Sequence, residues 1–209
     1  MFLVGMEESG ETRRALRALG IDAWSCDLQR AADDSPFHIQ DDVFTVTRSR
    51  AWKRAIMHPV CRYLTHAGIK HLFKNHGSMP LMPDEERWHN MVQAAAFFKR
   101  LLDLPFPVVC ENPRMHPYGL FVLQVWPFCS TQPHLHGDEA FKETLFWRND
   151  ESFQPLTATK PLPVPAYGTD EYKRWSKVFR MAPGPNRERD RSKTYPGLAQ
   201  AMATQWGHI

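Results

Sequence analysis

Two stretches of the chain place a reactive side chain just past a short apolar run and beside a proline. Arg54-Ala55-Ile56-Met57-His58-Pro59-Val60-Cys61 ends in a thiol, and Pro107-Val108-Val109-Cys110-Glu111-Asn112-Pro113 ends in a carboxyl and an amide. Short apolar runs bounded by such breakers read as buried strands. In open α/β sheets the ligand sits beyond the carboxyl ends of the strands, so Cys61 and Glu111 are expected to meet over one pocket. A thiol at a strand-to-helix turn suits nucleophilic attack when a helix N-terminus lowers its pKa, and His58 and Arg62 stand close to it in the chain. A carboxyl at a pocket floor suits a general acid or a hydrogen bond to a ring nitrogen. Each also has a purely structural reading: a buried strand-end cysteine, and a glutamate held by a backbone amide.

The elements that must position these groups follow in order. Phe2-Leu3-Val4 reads as a strand, Gly5 to Gly10 as a turn, Glu11 to Leu19 as a helix stopped by Gly20, and Asp22 to Leu28 as a strand ending Cys26-Asp27. Strand, glycine turn, helix and strand-end acid is the layout of a nucleotide-binding half-unit, in which the acid meets a ribose hydroxyl and the first helix N-terminus faces the ligand. Only Gly5 and Gly10 remain of a glycine-rich turn, and a plain turn aspartate fits Asp27 equally. Asp42 is either a cofactor contact or a helix cap. The segment Asn75 to Pro83 reads as a flap-like loop. Asp84 to Leu102 reads as a helix with a packing stripe of Trp88, Met91, Val92, Ala95 and Leu102.

Strands separated by helices predict a mostly parallel, doubly wound sheet. Beyond Pro113, Leu120 to Phe128 and Glu143 to Arg148 are strand-like. Phe153 to Ala166 reads as an extended crossing segment, and a final helix carries Leu198, Met202 and Trp206 on one face. The expected organisation is a catalytic domain over 1–150, an extended Pro-rich and basic segment over 151–194, and a C-terminal helix over 195–209 that packs back on the domain. His134 and His136, at alternate positions of an extended stretch near Asp138, lack a third ligand at a diagnostic spacing, so no metal is assigned.

Composition bounds the rest. The chain has 209 residues, 43% of them hydrophobic, which fits one domain with an appended segment. Cys26, Cys61, Cys110 and Cys129 form no close pair, which argues against a zinc knuckle or disulfide scaffold and points to a reducing cytoplasm. The N-terminus turns acidic at Glu7-Glu8, too early for a signal peptide, and no apolar run is long enough for a membrane span. The formal charge is +3, yet Lys173 to Lys193 holds eight basic residues against Glu188 and Asp190, on a mildly acidic body. Such a block suits a polyanionic partner, or else a solvated loop.

A series of motifs in this order resembles a known family: Glu8-Ser9-Gly10, Cys26-Asp27, His38-Ile39-Gln40-Asp41-Asp42-Val43, His58-Pro59-Val60-Cys61-Arg62-Tyr63-Leu64, Glu111-Asn112-Pro113, Gln132-Pro133 through Gly137-Asp138, and Arg191-Ser192-Lys193-Thr194-Tyr195-Pro196-Gly197 with Gln205-Trp206-Gly207. They are similar to small phage and prophage proteins described as DNA methyltransferase-like, distant relatives of the DNA cytosine-5 methyltransferases. The resemblance implies a Rossmann-like class I methyltransferase-type fold with S-adenosylmethionine held by Glu8, Ser9, Gly10, Asp27, Asp42 and His58. It implies Cys61 as the nucleophile toward C6 of a pyrimidine, with Glu111 and Asn112 at the ring nitrogen and amino group. Arg62, Arg187, Arg189, Arg191 and Lys193 would meet nucleic acid. The chain departs from the family in carrying Val60 before the cysteine and Met6-Glu7-Glu8 in the first turn. It is too short for a large target-recognition domain. The expected substrate is therefore DNA or a pyrimidine nucleotide. A nucleotide-level hydroxymethyl-type enzyme and a catalytically silent nucleic-acid-binding protein remain the alternatives.

Overall fold

The computed structural model describes every residue except His76, Pro183, Pro185, Asn186 and Ile209, and of Glu188 only the backbone. The core is a seven-stranded sheet: β1 (Phe2–Gly5), β2 (Ala23–Asp27), β3 (His38–Gln40), β4 (Arg54–Met57), β5 (Val108–Pro113), β6 (Cys129–Thr131) and β7 (Thr144–Arg148). Their spatial order is β3-β2-β1-β4-β5-β7-β6. All neighbours are parallel except β7, which runs antiparallel to both β5 and β6. This is the expected Rossmann-like, methyltransferase-type α/β fold. The chain leaves β1 toward β2 and later returns to its other side as β4, so the switch point lies between β1 and β4, where such sheets open their ligand crevice.

Eight α-helices flank the sheet among the described residues: α1 (Glu11–Ala18), α2 (Val43–Ser49), α3 (Glu85–Leu102), α4 (Pro117–Leu123), α5 (Asp170–Trp175), α6 (Lys177–Arg180), α7 (Arg187–Ser192) and α8 (Pro196–Trp206). Short 3-10 helices cover His66–Leu72 and Pro133–Leu135. Two apolar cores lie on the two faces, because strand side chains alternate between them. On one face Leu3, Ala55, Met57, Val108 and Cys110 pack under α2, α3 and α4; on the other Phe2, Val4, Ile56, Val109 and Phe146 pack under α1 and α8. Leu198, Met202 and Trp206 are all buried there, and the Trp206 indole N–H donates to Gln154 O at 2.8 Å.

Local signals explain the helix ends. Gly10 at φ 70° opens α1, a conformation that costs glycine little. Asp84 accepts from Arg87 N at the start of α3, with Glu85 and Glu86 in the first turn, where the helix dipole favours carboxylates. Of the stripe read for α3, Met91, Ala95 and Leu102 are buried, but Val92 faces solvent and Phe98 takes its place.

Several expectations are corrected. The run Leu120–Phe128 is not a strand: Pro117 at the first helical position and a cap from His116 Nδ1 to Gly119 N start α4, which ends at Gln124 in a left-handed conformation. An apolar run alone does not separate strand from buried helix. His134 and His136 sit on and just after a 3-10 turn, not on an extended segment, and His136 is buried between Thr131 and Thr159. Among the described residues no three His, Cys, Asp or Glu cluster as metal ligands. The basic stretch is not a loop but carries α5, α6 and α7. Among the described residues no helix is long and apolar enough to cross a membrane.

Candidate active site

The register of the sheet brings the proposed groups to one edge. Gly5 pairs with Met57 and Met57 with Cys110, so the residues that follow β1, β4 and β5 emerge side by side. Glu111 shares the face of Val109, and His58 follows β4 onto the same face. Both are buried there, with His58 Nδ1 3.4 Å from Glu111 Oε1. That contact pairs charge but is off the line of a hydrogen bond, leaving His58 Nδ1 and Glu111 Oε2 buried without one. Buried polar atoms in this condition are uncommon and mark either stored strain or a missing partner. On the other side of the imidazole, Thr12 Oγ1 lies 3.5 Å from Nε2.

Electrostatics follow from this packing. Burial pushes Glu111 up, yet the neighbouring His58 and the Lys142 ammonium outweigh it and hold the carboxyl below its ordinary range. Burial pulls His58 down, but Glu111 and Glu7 prevail and raise it. The two shifts run in opposite directions because each group favours the charged form of the other. Cys61 lies within electrostatic range of Glu111, Lys142 and Arg191, and burial leaves its thiol above the usual value despite both cations. No helix N-terminus lowers it: the helix after Cys61 is a 3-10 helix that begins only at His66, and the Cys61 carbonyl accepts from Leu64 N and Thr65 N. Asn112 is fully buried, but alternation along β5 turns it to the face opposite Glu111. There its Oδ1 also lacks a partner, and its amide donates to Pro113 O.

Two residues that sequence reasoning missed complete the centre. Lys142 is only 7% exposed, and its ammonium donates to Ser192 O at 3.4 Å and Lys193 O at 3.2 Å, tying the end of α7 to the site. Extending the period-two pattern of β7 back from Phe146 through Thr144 to Lys142 would have flagged it. Glu7 is buried and spends its carboxylate on the first turn of α1, accepting from Thr12 N at 2.6 Å and Arg13 N at 3.2 Å. Burial raises its pKa.

The remaining candidates lie along the β1–β3 edge and on the basic segment. Glu8 accepts through its carbonyl from Ala32 N, and its carboxylate is 3.7 Å from Arg189. Ser9 Oγ accepts from Glu11 N at 3.5 Å. Asp27 Oδ1 accepts from Gln29 N at 2.9 Å, while Asp42 Oδ1 caps α2 through Phe44 N and Thr45 N, so Asp42 is a helix cap. Arg62 is exposed and lies 5.7 Å over the Tyr63 ring. Arg187 donates to Met181 O, and Lys193 pairs with Asp190 at 3.3 Å.

No protein-family model matches the chain, and no curated protein does. Among solved structures it is similar to a DNMT2 variant from Spodoptera frugiperda, at 13% identity and a TM-score of 0.39 over 78% of this chain. The match spans 56% of that structure's length.

Proposed function

We propose that the chain transfers a methyl group to C5 of cytosine in DNA through a covalent Cys61 adduct. The observation that carries this reading is the His58–Glu111 pair, two titratable groups 3.4 Å apart that each present a buried, unbonded polar atom, with the Cys61 thiol in electrostatic range. Cys61 Sγ, once deprotonated, adds to C6 of the ring, and Lys142 offsets the thiolate charge. Glu111 Oε2 accepts from the cytosine amino group, and the proton held with His58 passes through Glu111 to N3 as the adduct forms. Addition makes C5 nucleophilic toward the methyl group that the cofactor would supply; once C5 carries it, loss of the C5 proton to a base expels Cys61 Sγ, and the N3 proton returns through Glu111 as the ring is restored. A base in duplex DNA has to leave the stack to reach these groups.

The residues along the β1–β3 edge fit S-adenosylmethionine. Asp27 and Asp42 each leave Oδ2 without a donor among the described residues, and Leu28 between them in the chain is 69% exposed. Two free acceptors beside an exposed apolar side chain suit the hydroxyls and ring of an adenosine. That cofactor, when bound, supplies an electrophilic methyl group. The α1 N-terminus takes no part, because Glu7 already holds its amides.

Incubation with 5-fluorocytosine DNA and S-adenosylmethionine tests the reading, because fluorine at C5 blocks the final elimination. A complex that survives denaturing electrophoresis and disappears in Cys61→Ala is expected. No adduct with DNA or with the free fluorinated nucleotide would overturn it.

A further inference from the structure

The site has a second surface beside it that the chemistry does not use. On α4 and the turn after it, Pro117, Tyr118, Leu120, Phe121, Gln124 and Trp126 line an open groove of about 720 Å³. Its two ring anchors stand in solvent: Phe121 is 75% exposed and Trp126 is 70% exposed. Neither is needed by the cores, and exposed aromatic clusters mark interaction sites more often than scattered apolar residues do.

The groove is joined to the reactive turn. Met115 pairs with Thr65, His66 N donates to Arg114 O at 2.8 Å, His116 N donates to Leu64 O at 2.9 Å, and His116 Nε2 lies 3.0 Å from Tyr63 O. Thr65 N and Leu64 N in turn donate to Cys61 O. A run of backbone hydrogen bonds thus links Cys61 to the start of α4. The two segments joined here, from Val43 to Pro83 and from Asn112 to Gly137, hold neither Asp nor Glu and carry Arg62, Lys70, Lys74 and Arg114, while Asp84, Glu85 and Glu86 begin α3, whose Trp88 packs on Tyr118 of the groove at 5.1 Å. Basic side chains on these segments together with solvent-facing rings complement a polyanion that can present flat apolar faces. Unpaired nucleobases on a phosphate backbone have that chemistry, and stacking on such rings tolerates any sequence.

We propose that the α4 groove is a stacking seat for an unpaired base of single-stranded DNA, flanking the base that reaches Cys61. The proposal rests on the function proposed above, from which its test is separable. It also offers a route to substrate capture: the strand is gripped by rings and phosphate contacts on one side of the reacting base.

Binding of fluorescein-labelled oligothymidylate, which contains no cytosine, reads the seat without any chemistry. Phe121→Ala and Trp126→Ala should each weaken it roughly ten-fold or more, with Trp126→Phe largely restoring affinity. A duplex of equal length should bind the wild type and both variants alike. Unchanged affinity for oligothymidylate in both Ala variants would overturn the proposal, as would a wild-type dimer in sedimentation that Phe121→Ala dissociates. If the ring variants fail to weaken binding while the fluorocytosine adduct still forms, only the stacking seat is lost. If ring-dependent binding persists without an adduct, only the proposed reaction is lost.

Discussion

The two halves of the crevice edge treat their polar groups in opposite ways. Along β1, α1 and β2, nearly every buried group is spoken for. Glu7 holds two amides of α1, Glu7 N donates to Cys26 O, and Ala32 N donates to Glu8 O. Arg13, 1% exposed, reaches both Ser25 Oγ and Asp33, and Arg14 also reaches Asp33. These guanidinium contacts hold the Asp33 carboxyl down at about 2, against its burial. Along β4 and β5 the reverse holds, with His58 Nδ1, Glu111 Oε2 and Asn112 Oδ1 buried and lacking hydrogen bonds. A satisfied network fixes geometry, whereas unsatisfied buried polar atoms keep free energy available for a ligand. The contrast is why the proposed covalent step is placed on the β4–β5 side.

The strongest way to break that contrast is at Glu111. Glu111→Gln keeps the shape but cannot relay the proton to N3, and adduct formation should slow by roughly 10²–10⁴. A rate within about two-fold of wild type in a rapid-quench trapping assay would remove Glu111 from the chemistry. On the other side, Arg13→Met should cost about 2–3 kcal/mol of stability, short of the full cost of a broken buried pair because Arg14 still reaches Asp33. Urea denaturation reads this as a lower midpoint at unchanged slope. Adduct formation by the molecules that remain folded should be little altered, and a large kinetic defect would blur the division.

The smallest effect is in pH. The raised His58 pKa contributes stability fully below its ordinary value of 6.5, and loses it as pH rises through the raised folded value. The lowered Glu111 pKa contributes above its ordinary value of 4.5 and loses it as pH falls through the folded value. Stability from the pair is therefore greatest between the two, and Glu111→Gln should flatten the alkaline decline of Tm. An identical decline in wild type and variant would show that the pair carries no such linkage.

Much of this was legible in the chain because local signals agreed with the fold. The capped α3, the apolar runs of β1, β4 and β5, and the Leu198–Met202–Trp206 face of α8 each follow a simple period. The rule that ligands gather beyond strand ends pointed to Cys61 and Glu111; the structure puts His58 against Glu111 and leaves Cys61 in electrostatic range of it. What escaped depended on long-range pairing. Lys142 matters because β7 folds back antiparallel beside β5 and carries it toward the site. α4 looked like a strand because its cap is a histidine, a residue that seldom signals a helix start. Asp42 remained ambiguous between cap and cofactor contact, since an N-cap and a ligand contact call for the same carboxylate.

The cover that α8 lays over the sheet governs the order in which the molecule can mature. Phe2, Val4 and Leu16 leave the ribosome long before Trp206 and Met202, whose indole and thioether side chains shield them. At roughly 5–20 residues per second, the opening strand and helix would wait about 10–40 s with that face uncovered. Until α8 is made, Phe2, Val4 and Leu16 lack the Trp206 and Met202 side chains that cover them.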